Sequence, residues 1–146
     1  MKIAMGNDHT GYSLKLEIAD LARSLGHEII DVGTHSSVSA DYPVFGRLAA
    51  EKVLSGECER AILICGTGFG ISLAANRMPG IRCANCSDTY TALLSRRHNN
   101  ANALALGARV VGVELAKMIV EVWLNAEFEG GRHTDRLKMI DEDMQV

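Results

Sequence analysis

Short apolar runs and helical stripes of apolar residues alternate along the whole chain. KIAMG (2–6) has strand length, and YSLKLEIADLARSLG (12–26) then sets Leu14, Ile18, Leu21, Ala22 and Leu25 on one helical face, with Gly26 as a stop. HEIIDVG (27–33) reads as a second strand. The polar stretch THSSVSADYP leads into a helix from about Val44 to Leu54, followed by the strand RAILIC (60–65). Beyond a glycine-rich turn come a short helix to about Arg77, a strand within IRCANC, and a helix that Ser87 or Asp88 opens as N-cap. A fifth strand lies within ANALALGARVVG, VELAKMIVEVWLNAEF (113–128) is strongly helical, and RHTDRLKMIDEDM (132–144) supplies a last helix after Gly130-Gly131.

Alternation of this kind requires parallel strands joined by right-handed helical crossovers, so the sequence predicts an α/β fold, a three-layer α/β/α sandwich on a five-stranded parallel sheet. Ligands in such sheets bind beyond the carboxyl ends of the strands, near a switch in strand order. The loops expected to face that crevice are Asn7 to Gly11, Gly33 to Tyr42, Gly66 to Gly70, and Ser87 onward.

Composition narrows the class. A chain of 146 residues, 47% apolar, can bury one substantial core, and one domain spanning 1–146 is expected. The net charge of −3 comes from interleaved acids and bases, which leaves no broad cationic face for nucleic acid or for a membrane surface. The apolar run in MKIAMGND is too short for a signal-peptide core, and no segment reaches membrane-spanning length, so a cytoplasmic protein is expected. Cys58, Cys65, Cys83 and Cys86 then read as reduced thiols. The Cys83/Cys86 spacing lacks a second ligand pair, and on a strand the two would point to opposite faces, as small buried hydrophobes.

ILICGTGFGIS carries the first candidate chemistry. Gly66, Gly68 and Gly70 tempt a dinucleotide-binding reading, but that fingerprint needs a glycine where Ile71 stands, and it sits on the first strand rather than the third. What remains is a cradle of backbone N–H groups at a helix start, fit for an anion or a developing oxyanion. Cys65, at the strand's carboxyl end, faces the crevice, where helix-terminal N–H groups favour a thiolate able to abstract a proton. Thr67 can donate to the oxygen that gains charge. A core cysteine before a tight turn is the plainer alternative.

Other polar residues fall near the crevice or at helix ends. Asp8-His9 follows the first strand and is either an N-cap with its neighbour or a pair facing the ligand. Asp41-Tyr42-Pro43 closes the second loop and reads equally well as a turn. Arg96 to Asn100 ends the fourth helix, where cations complement the helix dipole and His98 has the chemistry of a proton shuttle. Arg132 and Arg136 are four apart and can grip a dianion from one helical face, although Asp135 makes an ordinary surface face equally admissible.

Taken together, GNDHTGY, SADYP, ICGTGFGIS, LSRRHNNANALALGARVVG and FEGGRH resemble the ribose-5-phosphate isomerase B family, within the wider class that includes allose and galactose 6-phosphate isomerases. The resemblance implies a metal-independent aldose–ketose isomerase of Rossmann-like fold without cofactor. It also implies a small-molecule sugar phosphate as ligand, and a homodimer or dimer of dimers whose active sites lie between subunits. In that frame Cys65 moves a proton between C1 and C2, while Thr67 and the amides of Gly66, Gly68, Phe69 and Gly70 hold the enediolate. His98 opens the furanose ring and Asn99 binds sugar oxygens. Asp8 holds hydroxyls; His9, Arg132 and Arg136 hold phosphate; Tyr42, His133 and Arg109 stand near the ligand, some from the neighbouring subunit. The last helix, about 132–144, is a candidate to pack on that neighbour.

Members that use a glutamate after the glycine loop lack the cysteine, and Ile71 puts this sequence on the cysteine side. Galactose 6-phosphate isomerase subunits tend to lack His98-Asn99 and Gly130 to His133, which favours ribose 5-phosphate and leaves allose 6-phosphate open. A non-catalytic sugar-phosphate-binding module and a dinucleotide-dependent oxidoreductase are the rival classes.

Overall fold

The computed structural model describes residues 1–142. Its elements, in chain order, are β1 (Lys2–Asn7), α1 (Tyr12–Ser24), β2 (Glu28–Asp31), α2 (Tyr42–Leu54), β3 (Arg60–Cys65) and α3 (Phe69–Asn76). There follow β4 (Cys83–Asn85), α4 (Thr89–Arg97), β5 (Ala103–Gly107), α5 (Val113–Asn125) and α6 (Arg132–Asp141). All strand pairs are parallel and the sheet order is β2-β1-β3-β5-β4. The five-stranded parallel sheet and the three layers agree with the sequence pattern. α2 starts two residues earlier than Val44, because Pro43, with its fixed φ and missing N–H, suits the first turn of a helix. The expected last helix, 132–144, ends at Asp141, and 143–144 lie outside the described residues.

Two cores flank the sheet. Ile3, Met5, Ile62, Ile64, Leu104 and Leu106 face α1, α4 and α5, with Trp123 at the centre, while Ala4, Ala61, Leu63, Cys65, Ala103 and Ala105 face α2 and α3. The second face is built largely of alanine, so its helices approach closely. A Cβ on Gly6 would lie 2.7 Å from the Phe45 carbonyl oxygen, and one on Gly46 would lie 2.9 Å from that of Ile71. Side-chain-free contacts at these points seat the start of α2 beside the start of α3. Cys83 and Cys86 pack toward opposite faces as expected, although Cys83 is only half-buried by its own surface. Burial raises both thiols above the ordinary range.

The strand order reverses at β1: the chain moves to β2 on one side and to β3 on the other. The loops after β1 and β3 therefore diverge and leave a crevice between them, the place where ligands bind in open parallel sheets. Among the described residues no helix is long and apolar enough to cross a membrane.

Candidate active site

A cavity of about 360 Å³ opens at that switch point, lined by Asp8, His9, Thr10, Tyr42, Cys65, Gly66, Thr67, Gly70 and Arg109. All of these except Thr10 are candidates from sequence. Thr10 was missed, although it lies within the GNDHTGY stretch that the strand-end rule marks.

Cys65 closes the inner wall. Its residue is 3% exposed, so the sulfur belongs to the sheet's packed face and to the cavity lining at once. The Gly68 amide donates to Sγ at 3.2 Å. That geometry depends on Gly68 holding φ at +79° as the residue before α3, and on the absence of a side chain, since a Cβ there would sit 2.2 Å from Asn85 Oδ1. Gly68→Ala is thus expected to lower folding stability by about 2–5 kcal/mol, from left-handed strain and overpacking together, and a denaturant melt checks it.

The loop amides divide their work. Gly68 N–H is directed at the sulfur and Phe69 N–H at Thr67 Oγ1, 3.4 Å away, while Gly66, Thr67 and Gly70 line the cavity. The Phe69 side chain is 65% exposed and faces a separate hollow with Asn85 and Val110. Gly70 admits the Tyr42 ring, which a Cβ would meet at 2.6 Å. Ile71 is fully buried.

Asp8 serves both readings offered for it. Oδ1 accepts from Thr10 N (2.9 Å), Thr10 Oγ1 (2.6 Å) and Gly11 N (3.2 Å), capping the turn after β1. Among the described residues no group donates to Oδ2, and Asp8 lines the cavity. Gly11 must lack a side chain, because a Cβ would stand 2.6 Å from the Ile64 carbonyl oxygen. His9 Nδ1 lies 3.2 Å from the Ala40 amide, which ties the β1 loop to the long polar loop. Arg109 joins the far rim, where its amide donates to the Gly66 carbonyl at 3.0 Å.

The remaining candidates lie elsewhere. His98 and Asn99 follow α4, just before β5; Arg132, His133 and Arg136 begin α6. Ala103 pairs with Ala61 at the start of the sheet, whereas Cys65 pairs with Gly107 at its finish. Four strand steps of about 3.3 Å therefore separate the two groups along the sheet. Asn100 takes a left-handed φ of +45° and closes α4, its amide donating to the Arg96 carbonyl at 3.1 Å. Gly130 and Gly131, with φ of +66° and +56°, then turn the chain into α6.

In this second cluster the rings of His98 and His133 stack, with centroids 4.3 Å apart and planes within 9°. Glu129, which the sequence reading did not select, places Oε2 3.6 Å from His98 Nε2 and 3.7 Å from His133 Nε2. Its other oxygen pairs with Arg97. Burial, then His98, Arg132 and Arg136, lowers the pKa of His133, with Glu129 opposing. These three ligand-type groups lie within 4.8 Å of one another, the one such set among the described residues. A single ion must lie near both imidazole planes at about 2.1 Å from each nitrogen, so the parallel stack would have to open to hold one. α6 itself rests on its own chain through buried His133 and Leu137 and through Asp141, paired with Arg82 at 2.8 Å.

Known proteins match this arrangement from end to end. The family model for ribose/galactose isomerases covers residues 3–140. The chain belongs to that family. It is 55% identical over 139 residues to ribose-5-phosphate isomerase B of Escherichia coli K12, covering 95% of this chain and 93% of that protein. It is 41% identical to galactose-6-phosphate isomerase subunit LacB of Clostridium acetobutylicum, over 97% of this chain and 83% of the relative. The solved structure of Clostridium thermocellum ribose-5-phosphate isomerase B superposes with a TM-score of 0.95 at 60% identity, covering 97% of this chain and 95% of that one. Family membership thus confirms the resemblance first carried by the five motifs.

Proposed function

We propose that the protein is an aldose–ketose isomerase that interconverts ribose 5-phosphate and ribulose 5-phosphate. The observation that carries this is the Cys65 sulfur at the wall of the switch-point cavity, beside the Gly68 amide, in a chain so similar to ribose-5-phosphate isomerase B. As thiolate, Cys65 removes the proton from C2 of the open-chain aldose and returns it to C1. Charge then develops on oxygen, where the Thr67 hydroxyl and the amides of Gly66 and Gly70 line the cavity; each such donor contributes about two to three powers of ten in rate. Asp8 Oδ2 accepts from sugar hydroxyls. His98 opens the ring, with Asn99 on the sugar oxygens.

Phosphate falls to His9, Arg132 and Arg136. Arg132 and Arg136 occupy the first turns of α6, where the helix dipole disfavours cations, a cost that a bound dianion reverses. Remote grip of this kind orients the reacting carbons.

One chain does not bring these groups together, so the functional unit is a homodimer, alone or paired into a dimer of dimers. Two-fold pairing sets the His98 end of each subunit against the Cys65 end of the other and yields two equal sites. Phe69 (65% exposed), Leu73 (64%) and Val110 (57%) supply an apolar surface beside the cavity for that contact. Four free thiols suit a cytoplasmic setting.

Comparison of kcat/KM for ribose 5-phosphate, allose 6-phosphate and galactose 6-phosphate tests the reading. The pentose phosphate is expected to lead by at least about tenfold, the scale on which one added carbon is discriminated. A lead for allose 6-phosphate would reassign the sugar, and isomerisation of none of the three would defeat the proposal.

A further inference from the structure

Glu129 lies outside the set of groups assigned to the reaction, yet it is held in place from two sides. Its amide donates to the Arg97 carbonyl at 2.9 Å and its Oε1 pairs with the Arg97 guanidinium. The turn between α5 and α6 is thereby fixed to the end of α4, and Oε2 is aimed between the two stacked imidazoles.

We infer that Glu129 is the positioning carboxylate of His98, holding the imidazole with its proton on Nε2 so that Nδ1 is free to take the proton of the anomeric hydroxyl. The inference rests on the isomerase reading above. A carboxylate beside one ring nitrogen favours the tautomer protonated on that side, and the other nitrogen is left as the acceptor. The separation of 3.6 Å is longer than a hydrogen bond and short enough for the field to select the tautomer; catalytic bonds of this kind often tighten once substrate binds.

The charged or titratable groups packed around the His98–His133 stack are Arg97 from α4 and Glu129 from the turn, with Arg132 and Arg136 of α6 acting on His133. Three cationic or potentially cationic side chains, Arg97, His98 and His133, thus surround one carboxylate. His133, at 8% side-chain exposure, is pushed toward the neutral form, chiefly by burial. His98, at 35%, is the more accessible member of the stack. His133 then acts as a neutral platform that holds the His98 ring plane.

The step balances within the sugar. The proton on O1 moves to Nδ1, the bond from C1 to the ring oxygen breaks, C1 and O1 become a carbonyl, and Nδ1 returns the proton to the ring oxygen. Ribulose 5-phosphate has no such step, because its C5 oxygen carries the phosphate and cannot close a furanose.

The test is the rate of ribose 5-phosphate consumption against enzyme concentration. Unaided ring opening in buffer sets a ceiling for an enzyme that accepts only the open aldehyde. The wild type passes that ceiling in proportion to its concentration. Glu129→Gln is expected to pass it with a slope reduced roughly a hundredfold, at the low end of general acid–base contributions, while conversion of ribulose 5-phosphate persists. A slope within about threefold of wild type, or a matching collapse of ribulose 5-phosphate conversion, overturns the assignment. Arg97→Gln, which releases the carboxylate without removing it, should show the same selective loss to a smaller degree, and it decides the matter if the Glu129→Gln chain does not fold. Failure of the wild type on both sugars would instead refute the isomerase reading.

Discussion

Cys65→Ala should lower kcat/KM for ribose 5-phosphate by about 10³-fold or more, the upper range for loss of a proton-transferring side chain. Phosphate affinity should stay close to wild type, because His9, Arg132 and Arg136 are untouched. The substitution removes one sulfur from a site 3% exposed, so the structural cost stays within the usual range for a small truncation, about 1 kcal/mol. Cys65→Ser separates two contributions. Its hydroxyl can keep the Gly68 contact seen at 3.2 Å, but its pKa lies far above that of a thiol, so the geometry survives and the base does not. Both variants are expected to bind a phosphorylated sugar acid in calorimetry and to turn over little or no sugar. An alanine variant that isomerises within about tenfold of wild type would remove Cys65 from the mechanism, and with it the rationale for a sulfur beside a glycine cradle.

The sequence disclosed the sheet and half of the site for a shared physical reason. RAILIC is an apolar run opened by Arg60 and closed by a glycine, and β3 has those bounds in the structure. Once strands and helices alternate, every loop after a strand lies at one end of the sheet, so GNDHTGY and CGTGFG had to lie at the same end. The order of strands was not legible, because RAILIC and ALALG are equally apolar and nothing local says that β5 inserts between β3 and β4. His98 precedes a strand and Arg132 follows a helix, so both belong to the opposite end of the sheet from Cys65. Glu129 was missed because a glutamate before two glycines reads as a solvated turn. Its meaning comes from the end of α4, far back along the chain, and from a histidine stack that no local spacing encodes.

That separation makes a sharp expectation for mixed subunits. On the proposed assignment, Cys65→Ala subunits lack the base, and Arg132→Ala/Arg136→Ala subunits lack two guanidinium–phosphate contacts, worth together about 10² to 10⁴-fold in kcat/KM. Each homodimer alone should be close to inactive. When the two are co-expressed and assort at random, half of the dimers are mixed. In a mixed dimer one site receives both lesions, while the other combines an intact Cys65 end with an intact Arg132/Arg136 end. Total activity should therefore return to roughly a quarter of wild type. A site contained within one chain gives no recovery, since every chain then carries a lesion of its own. Leu73→Asp, in the exposed apolar surface beside the cavity, supplies the control: introduced into both subunit types it should give folded monomers and abolish the recovered activity. Recovery that persists in sedimenting monomers would mean that the two ends of the sheet never needed each other, and that the His98 cluster serves some other purpose.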